Sequence, residues 1–330
     1  MQIKFCGAAR TVTGSAHLIT LDSGVRILLD CGLYQGRAKA MQDFNENWLF
    51  EPTELDCVVL SHAHIDHTGR LPRLVRDGFA GPVHCTHATR SLCSIMLLDS
   101  AKIQERDAAY MLKQIDRGHS MDEEDLPQPL YTIEDAEAAM RQFVSYGYDR
   151  WFKIHNQVEV LFRDAGHILG SASVTLKIRE NGRVILLGFT GDIGRPGRPI
   201  LRDPQPMPEV DYLICESTYG DRDHESGPAE TDHFLRIIEH TCVEKRGKLI
   251  IPAFSVGRTQ ELVYILDRLV TVGKLPPVPV YVDSPLAVNA TTIFGAHPEC
   301  FDDQLNEYLL IDDNPFGFND LHYIRSIEES

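Results

Sequence analysis

The first half of the chain alternates short apolar runs with turn residues. These runs predict β-strands at residues 3–6, 17–21, 25–30 and 57–60 and, after residue 151, at 158–162, 172–178 and 184–187. Between the two groups, residues 91–109 carry apolar side chains at three-and-four spacing, which predicts a long helix. Thr132 is placed to cap a second helix, with Asp135 at its third position. Asn181 and Gly182 fit a tight hairpin turn between the last two strands.

A proline-rich passage at residues 195–208 interrupts this pattern and predicts a domain boundary. Beyond it, strand and helix patterns alternate. Strands are expected at residues 212–215, 248–252 and 278–282, and helices at about 232–244 and 259–269. That order implies a parallel sheet. We therefore expect an α/β protein with two domains, residues 1–208 and 209–330.

Four candidate metal ligands stand together directly after the apolar run at 57–60. They are His62, His64, Asp66 and His67. The helical pattern begins only after them, so the cluster lies on the turn at a strand's carboxyl end, where α/β folds place their chemistry. Imidazole and carboxylate groups suit zinc, with manganese or iron as alternatives. Ordinary surface histidines would explain one such residue, but three of the chain's 14 histidines fall in this one turn, which favours a metal site.

Other polar residues follow predicted strands at scattered places. Asp30, His167 and Asp192 each stand at a strand end or in a glycine-flanked turn, where ordinary turn chemistry also explains them. Three further stretches, at residues 216–220, 253–261 and 283–287, follow the predicted strands of the second region. The carboxyl ends of parallel strands meet at one edge of a sheet, so these stretches are expected to face one cleft. Turn and capping chemistry accounts for them equally well.

Composition narrows the class of protein. A hydrophobic content of 43% with 24% charged residues is typical of a soluble globular protein. The net charge of −16 argues against a broadly basic nucleic-acid surface, although it leaves room for a local groove around a metal centre. There is no apolar run of membrane-spanning length and no secretory signal, and the eight cysteines are scattered. We expect a cytoplasmic protein with reduced thiols and no membrane partner.

The motifs carry a resemblance to a known family. The His-x-His-x-Asp-His sequence at residues 62–67 resembles the signature of the metallo-β-lactamase fold hydrolases, and the Gly-His at 166–167 and Gly-Asp at 191–192 follow in that family's order. Glu-Ser-Thr-Tyr-Gly at 216–220, Gly-Arg-Thr-Gln-Glu at 257–261 and Asp-Ser-Pro-Leu-Ala at 283–287 resemble the β-CASP nucleases within it. The resemblance implies an αββα sandwich with an inserted α/β domain that clamps a nucleic acid strand.

The resemblance also implies a site with two zinc ions, or manganese in their place. The two expected ligand groups are His62, His64 and His167 for the first ion, and Asp66, His67 and Asp192 for the second, with Asp192 bridging both. Two such ions would generate a hydroxide and clamp the attacked phosphate.

Other residues match supporting positions of the family. Asp66 would also hydrogen-bond the hydroxide, and Glu216 would assist protonation of the leaving group. Asp30 would support the ligand loop through hydrogen bonds. Three residues of the second region are expected to meet phosphates: Ser255, Arg258 and Ser284.

The implied function is a zinc-dependent phosphodiesterase that hydrolyses single-stranded RNA, as an endonuclease, a 5′ exonuclease or both. A homodimer is expected from the family. Two alternatives remain open: a hydrolase of the same fold that acts on another ester or thioester, and a catalytically inactive scaffold that binds RNA or a protein partner.

The sequence departs from the family near its end. The family continues with a His in a Ser-x-His-x-Asp-like motif, the partner of the acid at Glu216, and with a final His that completes the second metal site. After Asp302 only His322 occurs, and its context matches neither motif. We therefore expect the second metal site to lack one ligand. We also expect the 330 residues to be the front part of a longer enzyme or a shortened relative.

Overall fold

A computed structural model describes residues 1–36, 39–115, 128–223, 230–326 and 329 of the chain. Its residues group into two compact units. Unit 1 comprises Met1–Ala165, Gly170–Ile193 and Pro204–Glu216, and unit 2 comprises Gly166–Leu169, Gly194–Asp203 and Ser217–Ser330. The boundary predicted after residue 208 falls within the last segment of unit 1.

Unit 1 contains a six-stranded and a five-stranded sheet. The six-stranded sheet has the order β1 (Gln2–Phe5), β2 (His17–Thr20), β3 (Arg26–Leu29), β4 (Cys57–Val59), β5 (Val83–Thr86) and β6 (Phe143–Tyr146). Its first three strands are antiparallel, and β3 to β6 are parallel. The five-stranded sheet has the order β11 (Tyr212–Ile214), β10 (Arg183–Phe189), β9 (Ala172–Glu180), β8 (Val158–Asp164) and β7 (Phe152–His155). Within it only β10 and β11 are parallel.

The core of unit 1 lies between these two sheets. Apolar side chains from both sheets, such as Ile27 and Val59 from one and Phe162 and Val174 from the other, form one buried cluster. Burial of this apolar surface is the main force that holds the sheets face to face. The helices of unit 1 are α1 (Lys39–Glu46), α2 (Ile65–Thr68), α3 (Leu71–Arg76), α4 (His87–Ile115) and α5 (Ile133–Met140), with a 3₁₀ turn at Pro52–Glu54. Helix α4 packs on β5 and β6.

Two local predictions in unit 1 are confirmed. Thr132 caps α5, because its hydroxyl accepts a hydrogen bond from the Asp135 N–H at 3.3 Å while the Asp135 carboxylate accepts one from the Thr132 N–H at 2.9 Å. Asn181 and Gly182 both have positive φ, 50° and 73°, which is the conformation that a two-residue hairpin turn between β9 and β10 requires.

Unit 2 is mainly helical. Its elements are α6 (Glu230–Ile238), a π-helical stretch (Glu239–Glu244), α7 (Arg258–Thr271), β12 (Val280–Asp283), α8 (Pro285–Gly295), a 3₁₀ turn (Pro298–Cys300), α9 (Asp303–Tyr308) and β13 (Leu321–Ile324). Strands β12 and β13 form a parallel pair. Helix α8 packs on both strands and on α7. Within the described ranges, no helix of either unit combines the length and apolar character needed to cross a bilayer.

The structure differs from the predicted elements in several places. Residues 248–252 do not form a strand, and the Ile250 side chain is 87% exposed. Strand β11 pairs with β10 of unit 1, so it does not contribute to a sheet of unit 2. In the part of the chain that the structure describes, the parallel sheet expected in the second region is therefore the β12–β13 pair. Strands β6, β7 and β13 were not predicted.

Candidate metal centre

The predicted ligand turn leaves the carboxyl end of β4 and enters α2. Its backbone is held by two neighbouring segments: the Ser15 N–H donates to the Asp66 carbonyl, and the Cys31 N–H donates to the His67 carbonyl, both at 2.8 Å. A Cβ atom at Gly32 would overlap the Asp66 carbonyl, so only glycine permits this close approach. The turn is therefore fixed by main-chain contacts that do not depend on its own side chains.

The structure brings three of the predicted ligands of unit 1 together. His62, His64 and Asp192 each offer one ligand atom, and these atoms lie within 4.8 Å of one another. His62 is fully buried and the other two are partly buried. They come from two separate places in the sequence: the turn after β4 and the segment that follows β10. His167 lies in the Gly166–Leu169 segment of unit 2, and its place in the ligand set remains a prediction.

Asp192 lies between the two predicted ligand groups. Its Oδ1 is 3.2 Å from Nε2 of His67, and its Oδ2 is 3.8 Å from Nε2 of His62. Asp66 adds a second carboxylate oxygen 3.8 Å from the same His67 nitrogen. The Asp192 carboxylate thus has one oxygen near His62 and the other near His67, which is the arrangement that a bridging ligand needs.

Asp30 is fully buried behind His67. Its carboxylate accepts hydrogen bonds from the Ser61 N–H and hydroxyl, both at 2.8 Å, and from the Ser15 hydroxyl at 3.1 Å. Its Oδ2 is also 2.7 Å from Nδ1 of His67. A carboxylate at Nδ1 keeps the proton on that nitrogen and leaves Nε2 free to bind a metal. The sequence reading missed Ser15 and Ser61, because a serine in a turn carries no signal of its own.

The charges of this cluster favour a bound cation. Burial lowers the pKa of His67, but the Asp30 and Asp192 carboxylates outweigh it and raise that pKa to about 10. Burial also raises the pKa of Asp66, while His67 acts in the opposite direction. The carboxylates thus favour a positive charge at this place, which a divalent cation would supply.

The donor atoms fit such an ion. Imidazole nitrogens and carboxylate oxygens are the ligands that zinc takes in catalytic sites. Nε2 of His62 lies 3.0 Å from Nδ1 of His64, so two ring nitrogens are already close together. The geometry therefore fits the predicted metal-dependent chemistry, whereas the identity and number of ions belong to the proposal below.

Glu216 follows β11 directly. Its N–H donates to the Thr190 hydroxyl at 3.1 Å, which joins the ends of the neighbouring strands β10 and β11. The side chain is partly buried. Its role in proton transfer remains a prediction.

The three predicted phosphate contacts all lie in unit 2, and the structure brings two of them together. The hydroxyls of Ser255 and Ser284 are 3.1 Å apart, and the Ser284 hydroxyl also caps α8 by accepting from the Ala287 N–H at 3.2 Å. Arg258 begins α7 and donates to Glu261 at 3.0 Å, while about half of its side chain stays exposed.

Gln260 explains why these segments meet, and the sequence reading did not single it out. Its side chain is fully buried, and its amide Nε2 donates to the Ser255 carbonyl at 3.1 Å, to the Ala287 carbonyl at 3.3 Å and to the Thr291 hydroxyl at 3.0 Å. A buried amide with its hydrogen-bonding groups satisfied ties the start of α7 to α8. Phosphate binding at this place remains a prediction.

Comparison with known proteins identifies the two parts of the chain. Residues 9–224 match the Metallo-beta-lactamase superfamily, and residues 259–330 match the Beta-Casp domain. These matches agree with the order of motifs along the sequence.

Individual relatives cover the whole chain or nearly all of it. It is 37% identical over 331 residues to Ribonuclease TTHA0252 of Thermus thermophilus, and the matched region covers 100% of this chain and 69% of that protein. It is 32% identical to Transcription termination factor FttA of Methanocaldococcus jannaschii, over 96% of this chain and 47% of that protein. It is 30% identical to Cleavage and polyadenylation specificity factor 73 of Drosophila melanogaster, over 99% of this chain and 44% of that protein. The chain thus spans less than half the length of the last two relatives.

These findings confirm the predicted fold and, at the level of the family, the predicted class of metal-dependent nuclease. The chain belongs to the metallo-β-lactamase superfamily and carries a β-CASP domain.

Proposed function

We propose that this protein is a metal-dependent phosphodiesterase that hydrolyses single-stranded RNA and uses two zinc ions, with manganese as the alternative. The observation that carries the proposal is the convergence of His62, His64 and Asp192 of unit 1, whose ligand atoms lie within 4.8 Å of one another. The 37% identity to a relative named as a ribonuclease supports RNA as the substrate.

The proposed ligands form two groups that share one residue. The groups are His62, His64 and His167 for the first ion, and Asp66, His67 and Asp192 for the second, with Asp192 contributing to both. When bound, the metal ions would supply the Lewis acidity that activates water and neutralises charge on the attacked phosphate. The contacts of Asp192 to His62 and His67 support this division.

The chain's own residues would position the substrate and move protons. Asp66 faces the same His67 nitrogen as Asp192 and would accept a hydrogen bond from the attacking water. Asp30 holds the ring of His67 through Nδ1. Glu216 would deliver a proton to the leaving oxygen. Phosphate groups would be held by the three polar residues of unit 2: Ser255, Arg258 and Ser284.

Several coarser features complete the proposal. We place the metal-binding domain in residues 1–208 and the substrate-binding domain in 209–330. All eight cysteines are free thiols, which fits a cytoplasmic protein. The homodimer rests on the resemblance to the family alone.

The test is cleavage of an end-labelled single-stranded RNA by the full chain after loading with zinc or manganese. The same strand as a duplex and the matching DNA strand establish the substrate class, and product lengths distinguish internal from end-directed cleavage. Asp192→Asn and Asp66→Asn are the test variants. His87→Gln is the matched control, because His87 contacts Ser145 at 2.9 Å and does not belong to the proposed ligand set.

We expect the unaltered chain and His87→Gln to cleave the RNA, and Asp192→Asn to lose cleavage together with bound metal. Asp66→Asn should lose most of the cleavage. Intact RNA with a metal-loaded chain would refute the proposal, as would equal cleavage by all variants. Hydrolysis of small esters or thioesters in place of RNA would favour the other class of hydrolase, and RNA binding without cleavage would favour the scaffold.

A further inference from the structure

Two large aromatic side chains of unit 2 are unusually exposed, and both stand close in sequence to the Ser255–Ser284 pair. Phe254 directly precedes Ser255 and is 84% exposed, while Tyr281 lies on the strand that leads to Ser284 and is 62% exposed. His322 on the neighbouring strand is exposed as well. Aromatic side chains usually bury their rings, so exposed rings that stand close in sequence to one polar pair call for a functional explanation.

The backbone around Phe254 is held although its ring is free. The Phe254 carbonyl accepts hydrogen bonds from the Thr259 hydroxyl at 2.7 Å and from the Thr259 N–H at 3.3 Å. The next carbonyl, that of Ser255, accepts from Gln260. The first turn of α7 therefore fixes the chain on which the ring is mounted, which lowers the entropy lost when the ring binds a partner.

Tyr281 and His322 form a preformed stack. They are paired in register on the parallel strands β12 and β13, with ring centroids 4.9 Å apart and ring planes 23° from parallel. Val282, the next residue on β12, points the other way and is buried. The strand thus buries one face and presents stacked rings on the other, as in sheet surfaces that bind unpaired bases.

The net charge of the chain leaves base contacts as the main source of affinity for a nucleic acid strand. A net charge of −16 gives the chain as a whole no electrostatic attraction for a phosphate backbone, so a strand must gain its affinity from local contacts. Base stacking on aromatic rings supplies such affinity without sequence preference. The half-exposed Arg258, close to Phe254 in sequence, offers one cation for a phosphate. Bases within a duplex are already stacked on each other, so the rings select an unpaired strand.

We propose that Phe254, Tyr281 and His322 form a surface that stacks the bases of a single-stranded nucleic acid held at Ser255, Arg258 and Ser284. The inference rests on the proposed function, because it assigns to the same substrate a second set of contacts. It also gives a role to His322, which matches no motif of the resembled family.

The test measures binding of the full chain, with metal removed by a chelator, to a fluorescein-labelled oligoadenylate and to an abasic oligomer of the same length. The variants are Phe254→Ala and Tyr281→Ala, and Tyr281→Phe retains the ring. Tyr110→Ala is the matched control, because Tyr110 on α4 of unit 1 is 63% exposed. Circular dichroism establishes that each variant is folded.

Each alanine variant should bind the oligoadenylate about 5- to 150-fold more weakly, which corresponds to the loss of one stacked base. Binding of the abasic oligomer should not change, and Tyr281→Phe and Tyr110→Ala should bind both oligomers like the unaltered chain. Unchanged oligoadenylate affinity in folded Phe254→Ala and Tyr281→Ala would overturn the inference. An equal loss for the abasic oligomer would overturn it as well.

The outcome is separable from that of the proposed function because binding is measured without metal or catalysis. Base-dependent binding by a chain that leaves RNA intact would support the stacking surface and refute the nuclease. If the chain cleaves RNA and its alanine variants bind oligoadenylate normally, the nuclease is supported and the stacking surface is refuted.

Discussion

Replacing Asp30 by asparagine tests how the ligand turn is organised. Asp30 has a φ of 57°, a left-handed conformation that asparagine also tolerates, so Asp30→Asn preserves the backbone and removes the charge. The native carboxylate accepts three hydrogen bonds from Ser15 and Ser61 and contacts Nδ1 of His67 at 2.7 Å. An amide has only one acceptor oxygen and cannot serve all these groups.

Two magnitudes follow from this geometry. Losing one hydrogen bond to a buried charged acceptor costs about 1.5–3 kcal/mol of unfolding free energy. Losing the carboxylate that orients a metal-binding histidine weakens metal affinity about 10- to 100-fold. Asp30→Ala should be worse, at about 3–5 kcal/mol, because it leaves all the donors without an acceptor and adds left-handed strain.

The assay combines chelator competition for zinc affinity with denaturant unfolding. The control is Asp149→Asn, an exposed aspartate in an ion pair with Arg163 at 2.7 Å, which should change neither quantity appreciably. If Asp30→Asn loses stability but binds zinc as tightly as the unaltered chain, the reasoning about His67 is wrong.

Two further predictions concern unit 2. Burial raises the pKa of Asp267 to about 6 against an unfolded value of 3.8, even though the Tyr308 hydroxyl donates to it at 2.7 Å. The folded state therefore favours the neutral acid. The contribution of Asp267 to the unfolding free energy is fully present below about pH 4 and is lost as the pH rises through about 6. Asp267→Asn should remove this loss, which reaches about 3 kcal/mol of unfolding free energy. Denaturant unfolding across that pH range measures it, and the same pH dependence in the variant and the unaltered chain would contradict the raised pKa of Asp267. A Cβ atom at Gly194 would overlap the carbonyl oxygen of Gly166, so Gly194→Ala should cost about 3 kcal/mol and weaken zinc binding. Gly295→Ala, which meets open space, is the control, and equal melting temperatures for the two variants would contradict the overlap.

The candidate metal site was accessible to sequence reasoning because most of it is local. The turn after β4 concentrates its ligands in a few residues. His167, Asp192 and Asp30 were assigned to the site only through the resemblance to the family, because ordinary turn chemistry also explains them. Ser15 and Ser61, which hold Asp30, were missed because hydrogen bonds between distant segments leave no pattern in the sequence.

Strands were predicted less well where their stability depends on a distant partner. Strand β6 was missed because only its first residue is buried and its pairing with β5 joins residues far apart in sequence, such as Val83 and Phe143. The strand at residues 248–252 was wrongly predicted from an apolar run alone, and Ile250 is in fact 87% exposed. An apolar run indicates a strand only where a neighbouring strand is present to pair with it.

The most direct test of the account is a crystal structure of the zinc-loaded chain with anomalous diffraction at the zinc edge. We expect one peak at about 2.0–2.1 Å from ring nitrogens of His62, His64 and His167. A second peak should lie beside His67 and Asp66, with Asp192 between the two. A single peak away from Asp192, or none in this cluster, would contradict the proposed metal centre and the reaction derived from it.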